Sequence, residues 1–173
     1  MKELRPIRLK QLKVEAKLLH KCIPSAIDAP VNKYLPHSFF QNLTASEIEE
    51  KRKHIRLKDV YHIIALAYGY ARWEDLKQQV VKNDMLYRSN GVGFIHEWFK
   101  DYNEANKYHI KNGGYLLQFW GDYVICGMEY IQLLSLDQYA KEWEAIGYNW
   151  VEPTNKQAHQ KLYQKALLEY ASL

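Results

Sequence analysis

Tyr115-Leu116-Leu117-Gln118-Phe119 and Tyr123-Val124-Ile125-Cys126, separated by Trp120-Gly121-Asp122, decide the fold class of this 173-residue chain. Both runs are short and apolar, and a turn-forming trio joins them. The spacing predicts a β-hairpin over 115–126. A lone two-stranded hairpin is marginal in water and has to pack on helices. The rest of the chain reads as helix and turn. The expected class is therefore α+β, mainly α: a helical N-terminal lobe, plus a C-terminal lobe of helices around one hairpin.

Working outward toward the N-terminus, a helix is expected from about Phe94 to Ile110, burying Ile95, Trp98, Phe99, Tyr102 and Ala105. Asn112-Gly113-Gly114 stops it. Toward the C-terminus, short helices are expected near 129–134 and 138–145, the second ended by Gly147. Thr154 with Gln157 reads as the cap of a last helix running to Tyr170, with Ala158, Leu162 and Ala166 inside. Asn90, Gly91 and Gly93 sit in a stretch of weak periodicity. The reading divides the chain into lobes 1–83 and 94–173, with a linker at 84–93.

In the N-terminal lobe, Leu9, Leu12, Ala16, Leu19 and Ile23 recur at helical spacing, in a helix from Pro6 to Cys22. Lys10, Lys13, Lys17 and Lys21 recur at the same spacing on another face. Pro24, Pro30 and Pro36 break the chain into a loop whose apolar residues, Ile27 to Phe40, are expected to pack on the helices. Thr44 with Glu47 reads as a capping box for a short charged helix, and Ser46 with Glu49 is an alternative one. Leu57, Val60, Ile64 and Ala67 form the main face of a strongly apolar helix that ends at Gly69. A further helix over 71–81 is expected to pack through Trp73, Leu76 and Val80, with Trp73 in one buried cluster with Leu57, Val60 and Ile64.

Charge separates the two halves. Residues 1–58 hold 13 Lys and Arg against 6 Asp and Glu, a net of +7; residues 59–173 hold 11 against 14, a net of −3. A basic segment on a near-neutral body implies an anionic partner for the N-terminal part. The 2 cysteines, Cys22 and Cys126, form no CxxC pair, so neither a zinc knuckle nor a redox motif is indicated. No apolar run approaches the ~20 residues of a membrane helix. The N-terminus lacks the apolar centre of a signal peptide. A cytoplasmic protein without membrane partners is the expectation.

Two stretches resemble known bacterial sequences. Ile64-Ala65-Leu66-Ala67-Tyr68-Gly69-Tyr70-Ala71-Arg72-Trp73-Glu74-Asp75-Leu76-Lys77 resembles a helix–Gly–helix module near the N-termini of uncharacterised bacterial proteins. Some of these carry a glyoxalase-superfamily label that belongs to another domain. The second stretch comprises Trp98-Phe99-Lys100-Asp101-Tyr102-Asn103-Glu104-Ala105, Gly113-Gly114-Tyr115-Leu116-Leu117 and Ile146-Gly147-Tyr148-Asn149-Trp150-Val151-Glu152-Pro153. It is similar to the C-terminal part of a bacterial family of unknown function. The resemblance implies a fold and a cytoplasmic bacterial origin, and it carries over no activity and no catalytic residue.

Three candidate sites follow from the residues themselves. Lys10, Lys13, Lys17 and Lys21, extended by Lys51, Arg52, Lys53 and Arg56, form a candidate surface for nucleic acid or another polyanion. A protein partner could use the same basic face. The helix over 71–81 makes a poor DNA reader, because Glu74 and Asp75 occupy the turn that would meet phosphates. His96, Tyr102 and Glu104 could line a pocket, with Asp101 and His109 nearby, although no metal-ligand spacing joins them. Arg56 and His62 match an arginine–five residues–histidine spacing that resembles the motif of helical HEPN ribonucleases. Leu57 departs from the polar residue usual there.

No catalytic residue, metal or cofactor is assigned; Gly91-Val92-Gly93 lacks the rest of a phosphate loop. The favoured function is a non-enzymatic binding protein acting through its basic N-terminal surface. The alternative is an enzyme, such as a nuclease of a toxin–antitoxin or defence system.

Overall fold

The computed structural model describes residues 6–22 and 44–172, without the side chains of residues 45, 48, 49 and 52. The expected packed loop from Pro24 to Phe40, and Ile23 before it, lie outside the described residues. The chain divides into two units, residues 1–82 and 83–173. The architecture is α+β and mainly α.

The first unit holds α1 (Leu9–Cys22), α2 (Ala45–Lys53), α3 (Leu57–Ala67) and most of α4 (Trp73–Asp84). The sequence periodicity translates into burial at most of the expected positions, with Leu57 and Ala67 only half-buried. Leu9, Leu12, Ala16 and Leu19 face inward on α1, as do Val60, Ile63 and Ile64 on α3 and Leu76 and Val80 on α4. Helix α1 packs against α3. His20 Nε2 donates to the Ile55 carbonyl at 3.0 Å, tying the end of α1 to the start of α3. Helix α1 begins at Leu9, so Pro6 precedes it rather than occupying its first turn.

The caps explain the helix ends. Thr44 and Glu47 form the expected box: Thr44 N–H donates to Glu47 Oε2 at 2.7 Å, and Glu47 N–H to Thr44 Oγ1 at 3.4 Å. Gly69 takes φ +83°, the left-handed conformation that a side chain would strain. Around it, Tyr70 N–H reaches the Ala65 carbonyl and Gly69 N–H the Leu66 carbonyl, both at 2.9 Å. This pair of bonds is a Schellman motif and satisfies two orphan carbonyls of α3. Trp73 is half-buried rather than in the core. It stacks on Tyr61 at 4.4 Å, at the margin of the apolar cluster.

The second unit adds strands β1 (Ile95–Phe99), β2 (Tyr115–Phe119) and β3 (Asp122–Cys126). Its helices are α5 (Tyr102–Asn112), α6 (Met128–Leu133), α7 (Ala140–Ala145) and α8 (Lys156–Ala171). The expected hairpin is present as β2 and β3, but it is not alone. The strand order is β1-β3-β2, all antiparallel, with a bulge between Ile95 and Glu97. The helix expected from Phe94 is thus a strand followed by a helix. Pairing with β3 satisfies the backbone of 95–99, and Asp101 starts α5 by accepting from Glu104 N–H at 3.0 Å. Trp98, expected to be buried, is 44% exposed.

Helix α5 covers one face of the sheet through Ala105, Leu116 and Ile125, with Phe99, Tyr102, Tyr108 and Tyr123 around them. The aromatic partners of the other face are Trp143, 5.0 Å from Tyr115, and Tyr130, 5.7 Å from Phe119. Both are fully buried with their polar atoms bonded. Trp143 Nε1 donates to the Leu136 carbonyl at 3.0 Å, and the Tyr130 hydroxyl to the Leu86 carbonyl at 2.9 Å.

The segment 84–93, read from the sequence as a linker, is packed into this unit: Met85, Leu86, Arg88 and Gly91 are buried. A Cβ on Gly91 would stand 2.8 Å from both Leu133 and Tyr130, so only glycine allows this close approach. The last helix is capped one residue later than expected. Asn155 Oδ1 accepts from Gln157 and Ala158 N–H at 3.0 and 3.1 Å, while Thr154 Oγ1 donates to the Ala145 carbonyl. No helix among the described residues is long and apolar enough to cross a membrane.

Candidate functional site

Helix α1 carries the first group of candidate basic residues. Its four inward residues fix the roll of the helix, and Lys10, Lys13, Lys17 and Lys21 consequently stand exposed. Val14 and Leu18 border them on the same outward side, 51% and 55% exposed. Glu15, the one carboxylate in this helix, is half-buried on the other flank. Among the described residues, Lys10, Lys13 and Lys17 have no carboxylate partner.

The second basic group is different. Lys53 pairs with Glu50 at 3.2 Å, and Glu50 also accepts from His54 at 3.0 Å. The bonds from His54 and Lys53 hold the Glu50 carboxyl below its usual range. Arg56 N–H caps α3 by donating to Asp59 Oδ2 at 2.9 Å, and its guanidinium approaches the same oxygen at 3.4 Å. The backbone bond is the main reason the Asp59 carboxyl also lies low. Lys51 is half-buried, and the Arg52 side chain lies outside the described residues. Lys53 and Arg56 are therefore partly neutralised within three residues of themselves, whereas among the described residues Lys10, Lys13 and Lys17 have no carboxylate partner. Of these candidate residues, Lys10, Lys13 and Lys17 are exposed without a carboxylate partner among the described residues.

His96, Tyr102 and Glu104 do not converge. His96 lies on β1, exposed; a Cβ on Gly127 would stand 3.2 Å from its Nε2 and 2.6 Å from Glu129 Oε2. Tyr102 opens α5 and belongs to a polar knot around Asn149. The Tyr102 hydroxyl donates to Glu152 Oε2 at 2.9 Å and accepts from Asn149 Nδ2 at 3.0 Å. Asn149 Oδ1 accepts from Val151 and Glu152 N–H, both at 3.0 Å. Burial is the main cause of the raised Tyr102 phenol pKa. Glu104 is exposed on the first turn of α5. Each of the three thus has a different set of neighbours, and the knot is a structural tie with its bonds satisfied. Asn149 carried no signal of this role, since its partners Tyr102 and Asn106 lie 47 and 43 residues away.

Two further ties were not anticipated. Buried Asp84 accepts from the Tyr170 hydroxyl at 2.8 Å and from Trp120 Nε1 at 3.5 Å. Arg88 donates from Nη1 to the Met85 and Tyr87 carbonyls. Cys126 is buried, and desolvation pushes its thiol up to about 12, so it is a packing residue rather than a nucleophile. No cluster of three or more His, Cys, Asp or Glu among the described residues could hold a metal ion. The chain matches no protein-family model, no curated protein and no solved structure.

Proposed function

We propose that this chain is a non-enzymatic binding protein that engages a polyanion, nucleic acid in the first place, through the lysine face of α1. One observation carries the reading: Lys10, Lys13, Lys17 and Lys21 stand exposed along one side of a helix whose opposite side is packed into the core. Neutralised charge would add little to affinity, but Lys10, Lys13 and Lys17, which have no carboxylate partner among the described residues, retain their full attraction for phosphate. From Lys10 to Lys21 the helix rises about 16 Å. Over that length a duplex presents roughly ten phosphate charges, so each lysine can meet one. Such contacts read no base edges, and binding is largely independent of sequence.

The test is a salt titration of duplex DNA and RNA binding by the full chain. Each neutralised phosphate contributes about −0.9 to the slope of log K against log salt for B-DNA. Replacing Lys10 and Lys13 by Gln should flatten that slope by up to about 2 and leave the fold intact. Absence of DNA and RNA binding by the wild-type chain at low salt would overturn the reading.

A further inference from the structure

The two edges of the sheet are finished differently. On the β2 edge, Leu116 N–H donates to the Tyr148 carbonyl, and Trp150 N–H donates to the Leu116 carbonyl, both at 2.9 Å. The chain at 148–150 therefore covers that side at Leu116. On the β1 edge, no backbone group among the described residues pairs with the outer side of the strand. His96, Glu97 and Trp98 are all exposed there.

The register shows which groups are left over. The two-residue turn Trp120-Gly121 joins Phe119 to Asp122, which face each other. Such a turn closes on a hydrogen-bonded pair. Bonding then alternates along β3, so Tyr123 and Ile125 turn toward β1, where they meet Phe99 and Glu97. Trp98, opposite Val124, directs its N–H and C=O away from the sheet. An unpaired edge of this kind is a template for one more strand.

The side chains narrow the choice of strand. The Trp98 indole lies edge-on to Phe119 at 6.0 Å and leaves apolar surface beside it. Glu97 points to the opposite face and has no cationic partner among the described residues, whereas Lys100 is already paired with Asp122. The uncompensated charge on the strand is negative.

We propose that the outer edge of β1 docks an extended segment of a partner protein, with an apolar residue beside Trp98 and a Lys or Arg opposite Glu97. A second copy of this chain is the poorer occupant. Antiparallel self-pairing about Glu97 sets two carboxylates face to face, and pairing about Trp98 opposes Lys100 to His96 and leaves the carboxylates on the diagonal. The bulge between Ile95 and Glu97 confines the template to the far half of the strand, which limits open-ended stacking.

The test uses the full chain and a ten-residue labelled peptide of alternating Val and Lys, followed by fluorescence anisotropy. A second peptide, N-methylated on its central residues, keeps the charge and loses the backbone donors. The expected result is binding of the first peptide, weakened at least roughly tenfold by the methylation, by Trp98→Pro and by Glu97→Lys. Proline is tolerated on an edge strand where the N–H faces solvent, so Trp98→Pro removes the docking donor and spares the bond pattern to β3. If that variant does not fold, Glu97→Lys and the methylated peptide decide. Equal binding of both peptides, no binding, or a dimer that Glu97→Lys dissociates would overturn the proposal.

Discussion

The two units of this chain solve the problem of specificity by different means. In the first, the inward faces of α1, α3 and α4 are aliphatic, and Lys10, Lys13, Lys17 and Lys21 stand outside. In the second, buried polar groups cross-link elements distant in sequence: Asn149 to Tyr102, Asp84 to Tyr170, and Tyr130 to Leu86. Aliphatic packing is non-directional and tolerates adjustment, whereas a buried polar tie admits one partner and one geometry. The difference teaches that the helical unit is specified by shape and leaves its surface available for charge. The sheet unit is specified by its connections.

The largest expected effect tests the second half of that contrast. Trp143 is fully buried and donates to Leu136, so Trp143→Ala should cost about 3–5 kcal/mol. Hydrogen exchange should show the loss in the amides of β2 and β3. Loss of protection in α1 and α3 to the same degree would show that the two units unfold as one and break the comparison. Within the first unit, Leu12 is fully buried and Leu12→Ala should cost about 2–5 kcal/mol. Trp73→Ala should cost less, because Trp73 is half-buried against Tyr61. A denaturant titration that reverses this order would return Trp73 to the core.

A smaller effect should follow pH. Burial pushes the His159 imidazole, set 4.6 Å from Trp150, below its ordinary range. The folded chain therefore holds it neutral, and unfolding lets it take up a proton. Its contribution to stability is full above the unfolded value of about 6.5 and is lost as pH falls from there toward the lower folded value. His159→Gln should flatten that part of the stability profile of the second unit. The smallest effect is expected at the α1 lysines. Lys10→Gln with Lys13→Gln should leave the melting temperature unchanged, since both side chains are exposed and neither has a carboxylate partner among the described residues. A clear shift would mean that this face contributes to the fold.

The sequence disclosed what is local. The inward face of α1, the box at Thr44 and Glu47, the end of α3 at Gly69 and the hairpin over 115–126 all follow from spacing within one element. Strand β1 was missed because Ile95, Trp98, Phe99 and Tyr102 also fit helical spacing; its pairing with Val124 and Ile125 is invisible along the chain. Asp101 with Glu104 was the local signal of a later helix start. The lysines of α1 were legible as a stripe, since exposure follows from the roll of the helix. The neutralisation of Lys53 and Arg56, and the scattering of His96, Tyr102 and Glu104, depended on geometry. The knot at Asn149 depended on partners more than forty residues away.

The tie at Asp84 also has a meaning in time. Its two partners lie 36 and 86 residues further along, at Trp120 and Tyr170. Chains are made from the N-terminus, so the carboxylate emerges from the ribosome long before either group that will satisfy it. A nascent chain that has completed the sheet has Trp120 but still lacks Tyr170, the partner at 2.8 Å, and closing so long a loop is slow. The second unit therefore reaches its final state only after the last helix is synthesised, whereas α1 can meet α3 while translation continues. During that interval the open side of β1 is exposed on an unfinished unit, and it is then that this chain is most exposed to misassociation.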